Sequence, residues 1–518
     1  MYILIALKGY LKMTQIHSFF RKNTLNALFT SLLDSVGSNS AGSVRQGCNP
    51  AGEKLAIAEK WEEKSMTLSE ELASFIVKTS YDDLSSKAKA QLKIRVLDSL
   101  GCAIRAIEAD VIKRLRQNTD DFGGRGHCSL IGGGRSAPDR AAFYNSALVR
   151  YLDFNDSYLA KDETCHPSDN LGAILAASEY ARGSGKDLLT ALAVAYQVQC
   201  RLSDEAPVRA KGFDHTTQGS YAVAAGVSKA LGLNLEQTTN ALAMSGASFN
   251  GLRVTRTGAI SNWKGLAYPN TVFGATHSSF LAMRGITGPR EVFEGNKGFM
   301  EAITGFFHID WSKEDLEKVN RSILKKYNAE IHSQSALEGI LELKSRHGFR
   351  GEEIDNIKLE IFDVAYHIIG GGEEGDKTLV HTKEEADHSL PYLIAVAVLD
   401  DQVMPEQFQP ERIRRPDVQG LLKRVWVRPN STFSERFPSE LRCHVSVTLH
   451  NGAVLENEKR DYKGFYTNPM NWDHVVEKFK RVSNGRIDRP RSTELVDAVA
   501  ALDEIRTEEL VRLLSPVG

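Results

Sequence analysis

Five stretches in succession, residues 138–152, 171–182, 187–200, 219–231 and 235–244, are rich in alanine and glycine and repeat apolar residues at helical spacing. Side chains this small let helix axes approach closely, so the run predicts a buried multi-helix core. Two helices are expected ahead of it. Thr67-Leu68-Ser69-Glu70 reads as a capping box, and residues 85–104 carry Val96, Leu97, Leu100 and Ile104 as an apolar stripe. Cys128-Ser129-Leu130-Ile131 reads as a short extended piece, followed by the run Gly132-Gly133-Gly134. That run lacks the flanking strand, the helix and the later acidic residue of a dinucleotide site, so it reads as a turn.

The pattern changes after about residue 310. Ile357-Lys358-Leu359-Glu360-Ile361-Phe362 and Arg424-Val425-Trp426-Val427-Arg428 alternate apolar and polar residues. The stretch from Cys443 to Glu456 reads as a β-hairpin turning at Asn451-Gly452. Helical segments are expected at 334–346 and 390–399. The sequence therefore predicts a mainly α protein with an α+β lid: a helical domain over 66–310, an α+β domain over 311–465, and helices over 466–518 packing back on the first domain.

Residues 1–65 differ in character and are left out of the fold. Lys8, Lys12, Arg21 and Lys22 all precede the first acidic residue, Asp34, and Ser, Asn and Gly crowd the region that follows. This resembles a mitochondrial presequence; a disordered extension, or an upstream start with Met66 as the true beginning, is the alternative. The chain of 518 residues gives room for two domains. A formal net charge of -2, with no basic stripe interleaved with aromatics, excludes a nucleic-acid-binding surface. The 6 cysteines (48, 102, 128, 165, 200 and 443) form no C-x-x-C pair, which fits a reduced intracellular enzyme better than a disulfide framework, a zinc site or an iron–sulfur cluster. No apolar run reaches the length of a membrane span. A soluble protein of the cytoplasm, or alternatively of the mitochondrial matrix, is expected.

The densest chemistry lies in Tyr151-Leu152-Asp153-Phe154-Asn155-Asp156-Ser157 and Cys165-His166-Pro167-Ser168-Asp169-Asn170. On a helix, Asp153 and Ser157 would share a face. His166 to Asp169 reads as a loop turning into a helix, with Ser168 or Asp169 as N-cap. An imidazole there, beside carboxylates, suits proton transfer; alternatively Asp153 and Asp169 are caps and His166 an ordinary loop residue. Four more stretches carry candidates: His215 before a helix; Arg253, Arg256 and Lys264 in a small-residue loop suited to a polyanion; Lys325 through Glu330-Ile331-His332; and Asp387-His388 through Tyr392. Singly, His388 reads equally as a cap, Tyr392 as a core aromatic and Lys264 as surface charge. Composition and spacing stop at a two-domain enzyme acting on an acid.

Taken in order, Leu152-Asp153-Phe154-Asn155-Asp156-Ser157, His166-Pro167-Ser168-Asp169-Asn170, Asp214-His215-Thr216-Thr217, Trp263-Lys264-Gly265, Lys325-Lys326-Tyr327 with Glu330-Ile331-His332-Ser333-Gln334, and Asp387-His388-Ser389-Leu390-Pro391-Tyr392 resemble the MmgE/PrpD family. The resemblance implies a large all-helical domain, a smaller α/β lid, a cleft between them and a homodimer. Family activities include 2-methylcitrate dehydratase, cis-aconitate decarboxylase and iminodisuccinate epimerase, all of which handle a proton next to a carboxylate. By resemblance the cleft residues fall on Asp153, Ser157, His166, His215, Lys264, Lys325 and Tyr392. Relatives often carry threonine at the position of Ser157, and proline at that of Asn328. Asp153, His166, His215, Lys264, Lys325 and Tyr392 are expected to be catalytic; Ser157, Ser168, Arg253 and Arg256 are expected to bind a tricarboxylate substrate.

Trp263-Lys264-Gly265 and Glu330-Ile331-His332-Ser333-Gln334 look like the dehydratase. The expectation is therefore a hydro-lyase of propionate catabolism, the methylcitrate cycle, working by side-chain acid/base chemistry with no metal or cofactor. In it His166 is the base, His215 the acid, and Tyr392 donates to the leaving hydroxyl or closes the site. A decarboxylase or epimerase of the same family, and a non-catalytic tricarboxylate-binding protein, are the alternatives.

Overall fold

A computed structural model describes residues 66–257 and 260–515; the presequence-like stretch lies outside them. Thr67 caps the first helix, α1 (Leu68–Lys78), accepting from the Glu70 backbone while the Glu70 side chain takes the Thr67 N–H at 2.8 Å. There follow α2 (Ser86–Ala106), α3 (Asp110–Phe122), α4 (Pro138–Tyr151), α5 (Leu171–Tyr180), α6 (Gly185–Glu205), α7 (Thr216–Ala230) and α8 (Leu235–Ser248). Between α3 and α4, Cys128–Ser129 pairs with Arg135–Ser136 across Gly132, Gly133 and Gly134, all three at positive φ.

The small residues set how closely these helices pack. A Cβ on Gly172 of α5 would lie 2.3 Å from the Ser146 backbone nitrogen of α4. One on Gly219 of α7 would lie 2.5 Å from the Tyr268 ring. Tyr268 belongs to α9 (Trp263–Met283), where a loop is expected from the sequence around Lys264. Pro269 sits inside this helix, which is held by packing against α4, α7 and α8.

A second apolar core runs from Ile323 to Phe465. It is built on a mixed sheet of β1 (Ile354–Ile361), β2 (Val425–Pro429), β3 (Cys443–Leu449) and β4 (Val454–Lys459), in the order β2-β1-β3-β4. β1 runs parallel to β2 and antiparallel to β3. Ile354, Ile357, Leu359 and Ile361 point inward along β1, beneath α10 (Gln334–His347) and α11 (Leu390–Asp400). β3 and β4 form the hairpin, with Gly452 at φ 85° in its turn. The chain then returns to the first core: α12 (Trp472–Ser483) and α13 (Arg489–Ala500) pack on α2, and α14 (Thr507–Leu513) packs on α5. The molecule is mainly helical with a smaller α/β part. Among the described residues no helix is long and apolar enough to cross a membrane.

Candidate active site

The spacing of Asp153 and Ser157 suggests a shared helical face, but α4 ends at Tyr151 and Asp153 takes a left-handed turn, φ 55°. Aspartate tolerates that conformation better than most residues. The turn aims Asp153 into the protein, while Ser157 goes on to bridge Ile323. The Asp153 carboxylate is 2.5 Å from Arg150 Nη1, 2.7 Å from Lys325 Nζ and 3.0 Å from Lys264 Nζ. Arg150 comes from the last turn of α4, Lys264 from the first turn of α9, and Lys325 from the chain entering the second core. Burial pushes the Asp153 carboxyl up, but Arg150, Lys264 and Lys325 outweigh it and hold the group well below the usual carboxylate range.

Lys264 Nζ also lies 3.1 Å from Asp387 Oδ1 and 3.2 Å from His388 Nδ1. Asp153, Asp387 and His388 are close enough together to hold a metal ion. The place such an ion would take is held by the Lys264 ammonium.

Two histidines face each other edge-on, ring centroids 5.4 Å apart. His166 begins the turn Pro167–Asn170, and neither Ser168 nor Asp169 caps it; Asp169 instead accepts from Asn155 at 2.8 Å. His166 Nδ1 lies 2.8 Å from the Asp156 carbonyl and 3.0 Å from Ser157 Oγ. A carbonyl can only accept, which assigns the proton to Nδ1 and leaves a lone pair on Nε2. Burial, then Arg150 and Lys325, push His166 well below its ordinary range, so it is neutral. His215, on the N-terminal side of α7, has the same tautomer but leaves the other nitrogen free. Arg256 Nη2, which can only donate, lies 2.9 Å from its Nε2, so Nδ1 carries the hydrogen. That Nδ1 is buried with no hydrogen-bond partner among the described residues. Burial, with Arg256 and Arg150 acting against Asp214, takes His215 down to about 3.

Most of these groups line a cleft where the two cores meet. Arg150, Arg209, Arg253, Arg256 and Lys325 supply positive charge to its wall; Asp153, Glu163, Glu330 and Glu374 supply negative charge. His332 and His388 line it too. Glu330 accepts from the His332 backbone N–H and from its Nδ1, both at 2.7 Å, leaving Nε2 buried and without a partner among the described residues. Asp387 holds His388 Nδ1 at 2.5 Å.

Of the ten residues proposed from sequence, Asp153, His166, His215, Arg253, Arg256 and Lys325 line the cleft. Lys264 stands behind Asp153, on a smaller adjoining cavity. Ser157 lies behind His166, and Ser168 is buried against Asn155. Tyr392 is not brought to the site: it is fully buried in the second core on α11, and its hydroxyl donates to the Gln407 carbonyl. Sequence reasoning missed Arg150, Glu163, Arg209 and Glu374 as cleft residues, and it placed His332 and His388 in candidate stretches without giving them a role in the cleft. Arg150 was legible as the partner three residues before Asp153 at a helix end. Glu330-Ile331-His332 and Asp387-His388 offered carboxylate–imidazole spacings. Arg209 and Glu374 carry no local signal.

Comparison with known proteins adds the following. The model of the MmgE/PrpD N-terminal domain matches residues 70–312, and that of the MmgE/PrpD C-terminal domain matches 327–504. A cis-aconitate decarboxylase of Mus musculus is 27% identical over 478 residues, 87% of this chain and 93% of its own. A mitochondrial 2-methylcitrate dehydratase of Yarrowia lipolytica is 26% identical over 450 residues, 80% of this chain and 84% of its own. The 2-methylcitrate dehydratase of Cupriavidus necator is 25% identical over 474 residues, 83% and 93% of the two chains.

Proposed function

Because the chain belongs to the MmgE/PrpD family, we propose that it is a lyase that eliminates water from a hydroxy-tricarboxylate of the 2-methylcitrate type. The observation that carries this reading is the pair of neutral histidines 5.4 Å apart in a cleft walled by arginines, His166 with its Nε2 lone pair free and His215 with its Nδ1–H free. One presents a basic nitrogen and the other an N–H, which is what a concerted removal of a proton and a hydroxyl requires.

In this reading the substrate carboxylates pair with Arg253, Arg256 and Lys325. Their negative charge offsets the cations that hold His215 neutral, so the complex takes up a proton there. Arg256 turns from His215 Nε2 to the substrate, and Asp214 Oδ1, 3.7 Å from that nitrogen, accepts its hydrogen bond. His166 Nε2 then takes the proton next to a substrate carboxylate. Arg150 and Lys325 stabilise the charge that builds up on that carboxylate. The C–O bond breaks, and the His215 Nδ1 proton leaves with the hydroxyl as water. The remaining proton sits on His166 and returns to solvent.

A second reading, decarboxylation of an unsaturated tricarboxylate, is favoured by the cis-aconitate decarboxylase relative, which spans the chain as fully as the dehydratases do. One assay separates the two. The full chain, treated with a chelator, is given 2-methylcitrate or cis-aconitate, the ultraviolet rise of a conjugated alkene is followed, and product and released gas are identified. Dehydration of 2-methylcitrate supports the first reading; gas release from cis-aconitate supports the second. His166→Ala should lower turnover by about 10²- to 10⁴-fold while the protein stays folded. A folded variant with near-normal turnover sinks the assignment of the base.

A further inference from the structure

The loop Gly370-Gly371-Gly372-Glu373-Glu374-Gly375 leaves the second core beside the cleft. Residues 371, 373, 375 and 376 are exposed, yet Glu374 between them is buried, its side chain 3% exposed. It reaches across to the helical part of the molecule. Its Oε1 accepts from Arg253 Nη2 at 2.8 Å and lies 3.9 Å from Arg209 Nη2. Its Oε2 is buried with no hydrogen-bond partner among the described residues. A carboxylate half satisfied in this way is costly to keep out of water. Its backbone N–H bonds the His367 carbonyl at 3.0 Å, so the loop has an anchor that does not depend on the side chain.

A guanidinium bonded to a carboxylate, with a second guanidinium 3.9 Å from the same oxygen, is a setting in which a protein binds a carboxylic acid. Here the carboxylate is the chain's own. We propose that Arg253 and Arg209 form a carboxylate subsite of the cleft which Glu374 fills while the site is empty, and that an entering polycarboxylate displaces Glu374 toward solvent. The inference rests on the tricarboxylate reading above. The loop is built to allow the movement. Gly371 and Gly375 bracket Glu374 at φ 105° and 90°, and a Cβ at either would meet nothing within 4 Å. Displacement removes one negative charge from the wall at the moment a trianion arrives. It also breaks an ion pair that ties the two parts of the molecule across the cleft. Glu374 thereby raises the affinity a ligand needs, and acids too weakly charged to compete for both arginines are left out.

The test is calorimetric titration of the full chain with propane-1,2,3-tricarboxylate, which has no hydroxyl to lose. Glu374→Gln keeps the shape of the side chain and removes its charge. It should bind this probe about tenfold more tightly than the parent, the scale of one charge-assisted contact no longer competed for. In the parent, backbone amides of 371–376 should exchange hydrogen faster once the probe is bound. Equal or weaker binding by the variant, or slower exchange in the loop, overturns the displacement and leaves the tricarboxylate reading standing. Absence of binding by both proteins overturns the two together.

Discussion

Asp153 is the counter-charge for Arg150, Lys264 and Lys325, all nearly or fully buried. Removing one partner of a buried ionic cluster leaves uncompensated charge, at a cost of about 3–5 kcal/mol. Asp153→Asn should therefore lose stability of that order in urea unfolding at neutral pH, as well as turnover; a variant as stable as the parent would show that the cations are compensated elsewhere. Lys264→Ala poses a different question. It empties the point on which Asp153, Asp387 and His388 converge, two carboxylates and an imidazole suited to a divalent ion such as zinc. We expect the variant, unlike the parent, to gain thermal stability on adding zinc. Which of these residues could be read from sequence follows from what each residue's role depends on. Asp153, His166 and Lys325 stand in recognisable motifs. The helical face proposed for Asp153 and Ser157 fails on one positive φ, which residue spacing does not carry. Tyr392 looks like a polar group at a helix start, and only the fold reveals the Gln407 carbonyl that satisfies it.

Elements with local signals were legible, as the capped α1 and the hairpin of β3 and β4 illustrate. α9 was not, because Gly265, Pro269, Asn270 and Gly274 all argue against a helix that tertiary packing enforces. The same dependence on distant partners gives α12 a role in the site. Its Lys478 Nζ donates to the carbonyls of Phe154 at 2.8 Å and Lys325 at 2.9 Å, lies 2.7 Å from Asp98, and sits 3.8 Å from the centre of the Phe154 ring. It thus pins the two segments that carry Asp153 and Lys325. Lys478→Met would leave Asp98 without its cation and two buried carbonyls without a donor. Unsatisfied groups of this kind cost about 1–3 kcal/mol each. The expected result is a clear loss in urea stability, with kcat falling more than KM rises. A variant that loses stability alone would make Lys478 a packing residue only.

At the scale of the molecule, the second apolar core begins at Ile323, past the shift in apolar pattern near residue 310. The cleft itself was beyond local reading, since the pairs that build it join residues 111, 123 and 172 positions apart. Every residue placed in the cleft lies between Met66 and Ser515, so a chain starting at Met66 should match the turnover of the full chain. The cleft also leaves its mark on how stability depends on pH. His166, His388 and His215 are held below the ordinary histidine value of 6.5, and Asp153, Asp214, Asp387 and Glu330 below ordinary carboxylate values. For all seven, the unfolded chain takes up protons first as pH falls. Their contribution is therefore complete above about pH 7 and is lost on acidification, the histidines beginning near pH 6.5 and the carboxylates near pH 4. Asp169 works in the opposite direction. Burial outweighs Arg150 and raises it from 3.8 to about 7, so the folded protein keeps a proton there that the unfolded chain has released. Its contribution is present below pH 4 and is lost as pH rises to 7. Asp169→Asn removes this group, while Glu163 and Asp98, which burial also raises, are the same in both proteins. Relative to the parent, the variant should become more stable as pH rises from 4 to 7, by at most about 1.4 kcal/mol per pH unit. Urea unfolding of both proteins at pH 5 and pH 8 reads the difference directly, and a gap that does not change with pH would mean that Asp169 is already ionised against Arg150 in the folded protein.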